Sequence, residues 1–213
     1  MMDTDRLIRT LAADNDQHGR PVGTVLATAL LVALPVTAAL LLVTLGIRPD
    51  FMAAMRNPFF DTKFLVTLAL AIPAIVISLH LSRPEAALGR GIWLLLLSPF
   101  ILVVALIVEM AMPQRTPMMV RLMGRNSMLC LSTIPVLSMP ILGAVLYALR
   151  RGAPARPAVA GAIAGLLSAG LAGTLYAAHC VDDSPLFVAT WYTLATALVT
   201  AVGALAGAKY LRY

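Results

Sequence analysis

Six apolar stretches, each free or nearly free of charge, recur along this chain at roughly 24–45, 64–82, 91–112, 128–149, 158–178 and 186–208. A helix needs about 20 residues to cross a hydrocarbon core of about 30 Å, and every stretch meets that length. Lipid offers no partner to a bare amide, so each stretch is expected to close its own backbone hydrogen bonds as a helix. The fold expected is an all-α integral membrane protein, a bundle of six transmembrane helices over 24–213, preceded by residues 1–23 outside the lipid. Composition leaves no room for a sizeable soluble domain, because 60% of the residues are hydrophobic and only 12% charged, with a mean hydropathy of +0.89. The first stretch is too long for a signal-peptide core and lacks an evident small-residue cleavage site, so it is expected to be retained.

An even number of spans puts both termini on one side. That side carries Arg6, Arg9, Arg20, Arg83, Arg90, Arg150, Arg151, Arg156, Lys209 and Arg212. The opposite side carries Arg48, Arg56, Lys63, Arg115, Arg121 and Arg125, with no basic residue in the last loop. The excess of positive charge predicts that the termini are cytoplasmic. The net charge of +6 belongs to these flanking residues and gives no reason to expect direct binding of nucleic acid.

Packing inside the bundle is partly written in the spacing. Gly161, Gly165, Ala169 and Gly173 recur every fourth residue, and Gly203 and Gly207 repeat the interval in the last span. Such rows let helix backbones approach closely, within one chain or between copies, so a homo-oligomer stays open beside intramolecular packing. Pro35, Pro73, Pro99, Pro135 and Pro140 fall inside spans, where a missing amide weakens or bends the helix.

The polar start of the chain has a pattern of its own. Asp3 or Thr4 can cap a helix, Asp5 suits its positive first turn, and Leu7, Ile8, Leu11 and Ala12 fall on one stripe opposite Arg6, Arg9 and Asp14. The pattern ends in "DNDQHGRP" before the first span. A frayed leader, a helix lying on the bilayer and a docking helix all fit so short a segment. Asp3, Asp5, Asp14 and Asp16 speak against the bilayer surface, since anionic lipid repels them. In the docking case Leu7, Ile8 and Leu11 enter a groove on a soluble partner and Asp14 meets a basic surface. Burying three such side chains yields about 1.5 to 3 kcal/mol each before ordering costs, so the segment alone reaches micromolar affinity, about 8 kcal/mol, at best. Tight capture then needs further contacts, for example from "LRRGAPARP" in the fourth loop.

Several pieces, in order, carry a likeness to a known family: "LIRTLAAD", "GIRPDF", "CLSTIPVLSMPIL", "LRRGAPARPAVAGAIAGLLSAG" and "YAAHCVDDSPLFVATWY". With them the chain resembles the NrsF-type membrane anti-sigma factors, negative regulators of an extracytoplasmic-function (ECF) sigma factor. The resemblance implies a six-span inner-membrane protein whose N-terminal segment helps hold an ECF sigma factor away from RNA polymerase until stress arrives. The ending Arg212-Tyr213, where the family tends to end Arg-Trp, keeps an aromatic at the interface.

The span count places Cys130 and Cys180 on the non-cytoplasmic side. In an oxidising envelope they could form a disulfide or bind a soft metal ion, with His179, and then Asp182 and Asp183, as further ligands. No other cofactor is implied. Two buried thiols acting as small apolar groups, or one permanent disulfide, are the plainer alternatives. Met52, Met55, Met110, Met112, Met118, Met119, Met123 and Met128 lie in or beside the same loops, as soft ligands, oxidation targets or gap-fillers. Glu109 is expected to reach the interface or pair with Arg115 or Arg121, and His80 to sit at the inner rim. A small transporter or channel, with Glu109 and the broken helices lining a path, is the alternative function; it predicts an internal repeat, and none is evident. No HExxH, nucleophile–base pair or phosphate loop points to an enzyme. Release would follow if a thiol event moved the fourth span against the fifth and sixth and so reshaped the inner loop.

Overall fold

A computed structural model describes Thr4 and residues 21–83, 89–113 and 116–212. The helix expected over Arg6–Asp14, with Leu7, Ile8, Leu11 and Asp14, lies outside the described residues, as do Arg115 and Tyr213. Among the described residues six helices are long and apolar enough to cross a membrane: α1 (Val22–Thr44), α2 (Pro58–Leu81), α3 (Arg90–Ala111), α4 (Ser127–Leu149), α5 (Pro157–Ala177) and α6 (Pro185–Tyr210). Short helices at Phe51–Ala54 and Met118–Met123 fill the first and third loops.

The helix ends follow local chemistry. Asn57 caps α2 by accepting the Phe59 amide, and Pro58 takes the first-turn position where a missing N–H costs nothing. That start lies ahead of the apolar stretch read at 64–82, so Asp61 and Lys63 are helical. A charge had marked the boundary in sequence; in the fold Lys63 is fully buried against a partner, which makes it compatible with the helix interior. Pro99 sits where the 3₁₀ turns of Arg90–Leu96 give way to α-helix from Leu97, and Pro35, Pro73, Pro135 and Pro140 are carried inside continuous helices. A π-helical stretch, Val188–Tyr192, interrupts α6 near its start.

α5 is the most buried of the six, and it packs on α6, α2 and α4; α1 leans on α4, and α3 on α2. Its small residues make this possible on two faces at once. Gly161 and Gly165 meet the backbone of α6 at Gly203, Gly207, Val199 and Thr200, whereas Gly170 and Gly173 meet Thr67 and Ala71 of α2. The four-residue row therefore divides between two neighbours, and both contacts are intramolecular. Leu31, Val43, Leu65, Phe100 and Leu205 point outward, as expected where lipid replaces water as the solvent. Trp93, Tyr147 and Tyr210 are exposed toward the end where α1 begins and α6 finishes, the positions of an interfacial aromatic belt. His80 is exposed at that same end, next to Gly89.

Candidate functional site

The polar chemistry collects at the opposite end, around the loop joining α5 to α6. Nearly every residue of that loop is tied to another part of the bundle. The Ala178 carbonyl accepts the Arg48 amide, and the His179 Nδ1 lies 3.0 Å from the Gly46 carbonyl oxygen, so the first loop is stitched to it. The Cys180 carbonyl accepts from Lys63 Nζ at 2.8 Å and Arg48 Nη1 at 3.2 Å. The Asp183 carboxylate accepts from the same two cations, at 2.6 Å from Lys63 and 2.9 Å from Arg48. Arg48 turns its other edge to Asp50, with two contacts of 2.7 Å.

These four charges cancel, and that balance is what allows two cations into an apolar bundle. An unpaired ammonium buried this deeply would cost several kcal/mol. Phe60, itself buried, lies under both cations, with its ring centroid 5.3 Å from the Arg48 guanidinium carbon and 5.1 Å from Lys63 Nζ. The paired Asp50 hydrogen bonds hold the Arg48 guanidinium above its ordinary range and, reciprocally, hold the Asp50 carboxyl below its own.

The loop's other carboxylate works on α4. Asp182 accepts the backbone amides of Arg125 and Asn126 at 2.9–3.0 Å, fixing the turn that leads into α4 and setting a negative charge beside its positive end. Glu109, at the end of α3, is 2% exposed. It accepts the Ser184 hydroxyl at 2.6 Å and the Leu186 amide at 3.0 Å, so it caps α6, and it pairs with Arg121 at 2.9 Å. Its charge is thus engaged in a structural joint rather than lining a path. Trp191 donates its indole N–H to the Leu122 carbonyl, fastening α6 to the third loop.

Cys130, in the first turn of α4, and Cys180 are drawn together beneath this lattice. Both are free thiols with no exposed surface, and both belong to the same buried cluster. Burial pushes the Cys180 thiol up, against the opposing pull of the Lys63 charge, so it is protonated at neutral pH. Tyr176 and Tyr192 pack beside Cys180 with ring centroids 5.9 Å apart, and both hydroxyls are buried with the Cys180 thiol as their polar neighbour. Among the described residues no group of three His, Cys, Asp or Glu side chains is arranged to hold a metal ion. His179, Asp182 and Asp183 are engaged with Gly46, with the start of α4 and with the two cations respectively. All eight methionines named for this end are exposed, so they do not fill gaps in the core.

Comparison with known proteins gives this architecture its place. The family model described as "Negative regulator of sigma F" matches residues 11–213, nearly the whole chain. The chain belongs to the NrsF family. It is similar to the "Anti-sigma-F factor NrsF" of Caulobacter vibrioides (strain NA1000 / CB15N), at 35% identity over 216 residues covering 100% of both chains. It is also similar to the "Probable anti-sigma-F factor NrsF" of Azospira oryzae (strain ATCC BAA-33 / DSM 13638 / PS), 31% identical over 177 residues covering 82% of each. No solved structure matches. The NrsF family is one of anti-sigma factors and not of enzymes.

In this NrsF chain the structure joins Cys130, Cys180 and His179 at one end of the bundle, while Leu7, Ile8, Leu11 and Asp14 lie outside the described residues. Sequence pattern had assigned no role to Arg48 or Lys63 beyond flanking charge. The available signal was Lys63 in "DTKFLV", a cation at the mouth of a span, matched by two consecutive acids in the last loop, which has no base of its own.

Proposed function

We propose that this protein sequesters an ECF sigma factor at the bacterial inner membrane and releases it when an envelope stress reaches the Cys130–Cys180 pair. Full-length membership of the NrsF family carries the proposal. The names of both relatives supply the partner class. Residues 1–23 are the longest polar stretch ahead of the spans, and the stripe of Leu7, Ile8 and Leu11 with Asp14 beside it suits docking into a groove of a soluble, basic partner. The excess of Arg and Lys on the side of the termini supports a cytoplasmic placement for that stripe. The thiol pair would then face the envelope. Every bond from residues 178–186 to α2, α3, α4 and the first loop offers a route by which a change at Cys180 alters helix packing. A signal acts only through unequal affinity for the holding and releasing states.

Affinity capture of the intact protein in membranes is expected to recover a sigma factor, and capture of the chain lacking residues 1–20 to recover none. Equal recovery from both forms would end the docking assignment. For the input, Cys130→Ser and Cys180→Ser variants are each expected to retain the sigma factor while transcription from its promoters no longer rises under envelope stress. An unchanged rise in either variant would remove the thiols from the account.

A further inference from the structure

Two thiols with no exposed surface react with nothing dissolved in water until something over them moves. We infer that residues 178–184 form a strap closed over Cys130 and Cys180, and that the joint grip of Lys63 and Arg48 on Asp183 and on the Cys180 carbonyl is its latch. The inference rests on the reading in which the thiols receive the signal, and supplies the opening step that reading requires.

The geometry singles out these two cations among the loop's many bonds. Each grips both the Asp183 carboxylate and the carbonyl of the thiol-bearing residue itself, so Cys180 cannot swing out while they hold. They reach the strap from separate elements: Arg48 from the first loop and Lys63 from α2. Lys63 Nζ also accepts restraint from farther along the strap, donating toward the Asp182 carbonyl at 3.4 Å. The Asp182 carboxylate and Glu109 also tie the strap, to the starts of α4 and α6, but neither bonds Cys180 itself.

The choice of residue is informative too. A buried ion pair adds little net stability over apolar groups of similar volume, because desolvation offsets its attraction. Lys63 is therefore a poor way to strengthen α2 and an effective way to hold a polar loop in one position. Replacing it by Met leaves Asp183 paired with Arg48, and the excess negative charge then falls on Asp50, which is exposed to water.

The test is the rate at which N-ethylmaleimide alkylates Cys180 and Cys130 in the purified full-length protein in detergent, read by peptide mass spectrometry. Lys63→Met is expected to react at least about tenfold faster at Cys180 than the wild type, as when local opening loses about 1.4 kcal/mol. Lys209→Met, which removes a cation at the other end, is expected to leave the rate unchanged. Arg48→Gln, in which the Lys63–Asp183 pair survives, carries the same expectation and the test itself should Lys63→Met fail to fold. Wild-type rates in folded Lys63→Met, or in Arg48→Gln where that variant carries the test, would overturn the latch. The assay contains neither sigma factor nor stress, so its failure is separable from that of the function proposed above. A variant that labels fast in vitro while the unmodified protein ignores every envelope stress in cells would support the strap and sink the sensor.

Discussion

Valine at Gly161 or at Gly203 is expected to destabilise the assembled bundle by about 3 kcal/mol or more, at the upper end of overpacking penalties. A Cβ at either position runs into the carbonyl oxygen of the other. Gly161 is pressed from a second side as well, since a Cβ on Gly207 would lie 2.6 Å from the Gly161 Cα. The obstructing atoms are backbone, so relief requires α5 and α6 to separate along their length rather than one side chain to rotate. Lipid provides no hydrophobic force to press the helices back together, and close packing is the main cohesion available. Thermal unfolding in detergent, followed by helix signal or by size-exclusion, checks the expectation. Gly143→Ala serves as the control, because a Cβ there meets open space, and it should be neutral or stabilising by about 0.5 to 1 kcal/mol through lost backbone freedom. A Gly161→Val protein that unfolds like the wild type would show that the seam does not hold the bundle.

The triple substitution Leu7→Ala, Ile8→Ala and Leu11→Ala is expected to abolish sigma-factor retention while leaving the bundle folded. Each side chain contributes about 1.5 to 3 kcal/mol when buried in a partner's groove, so the three together represent at least about 4 kcal/mol. That is roughly a thousandfold in affinity, enough to carry a micromolar contact out of the measurable range. Titration of the purified sigma factor against the protein in nanodiscs checks it, alongside a reporter whose expression should match that of a strain without the protein. Asp14→Asn is expected to weaken binding by about tenfold or less, with the difference shrinking at high salt, because an exposed charge is screened. Undiminished affinity in the triple variant would move the docking surface away from this stripe.

Much of the bundle was legible before any coordinates. A run of about 20 apolar residues is hard to mistake, since it is long enough to cross lipid and too long for most other uses. The Gly161–Gly165 and Gly203–Gly207 intervals announced close approach, though spacing alone could not say that Gly173 presses most closely on Thr67 of α2. Lys63 was the point where pattern misled. A cation beside an apolar run looks like a boundary, and only the arrival of Asp183 and the Cys180 carbonyl from the far part of the chain makes it a helical, buried residue. Glu109 had Arg121 among its expected partners, and the ion pair forms, but its capping of α6 through Ser184 and Leu186 depends on where α3 ends in space.

The sequence by itself determined six membrane-length helices, the surplus of positive charge beside the chain's ends, and membership of the NrsF family, because length, hydropathy and residue order are properties of the chain. Tertiary structure alone decided that α5 lies at the centre, that Cys130 and Cys180 are shut away from water, and that Arg48, Lys63 and Asp183 share one joint. Those outcomes require residues far apart in the chain to meet, and a buried charge is tolerable only once its partner has come within hydrogen-bonding distance.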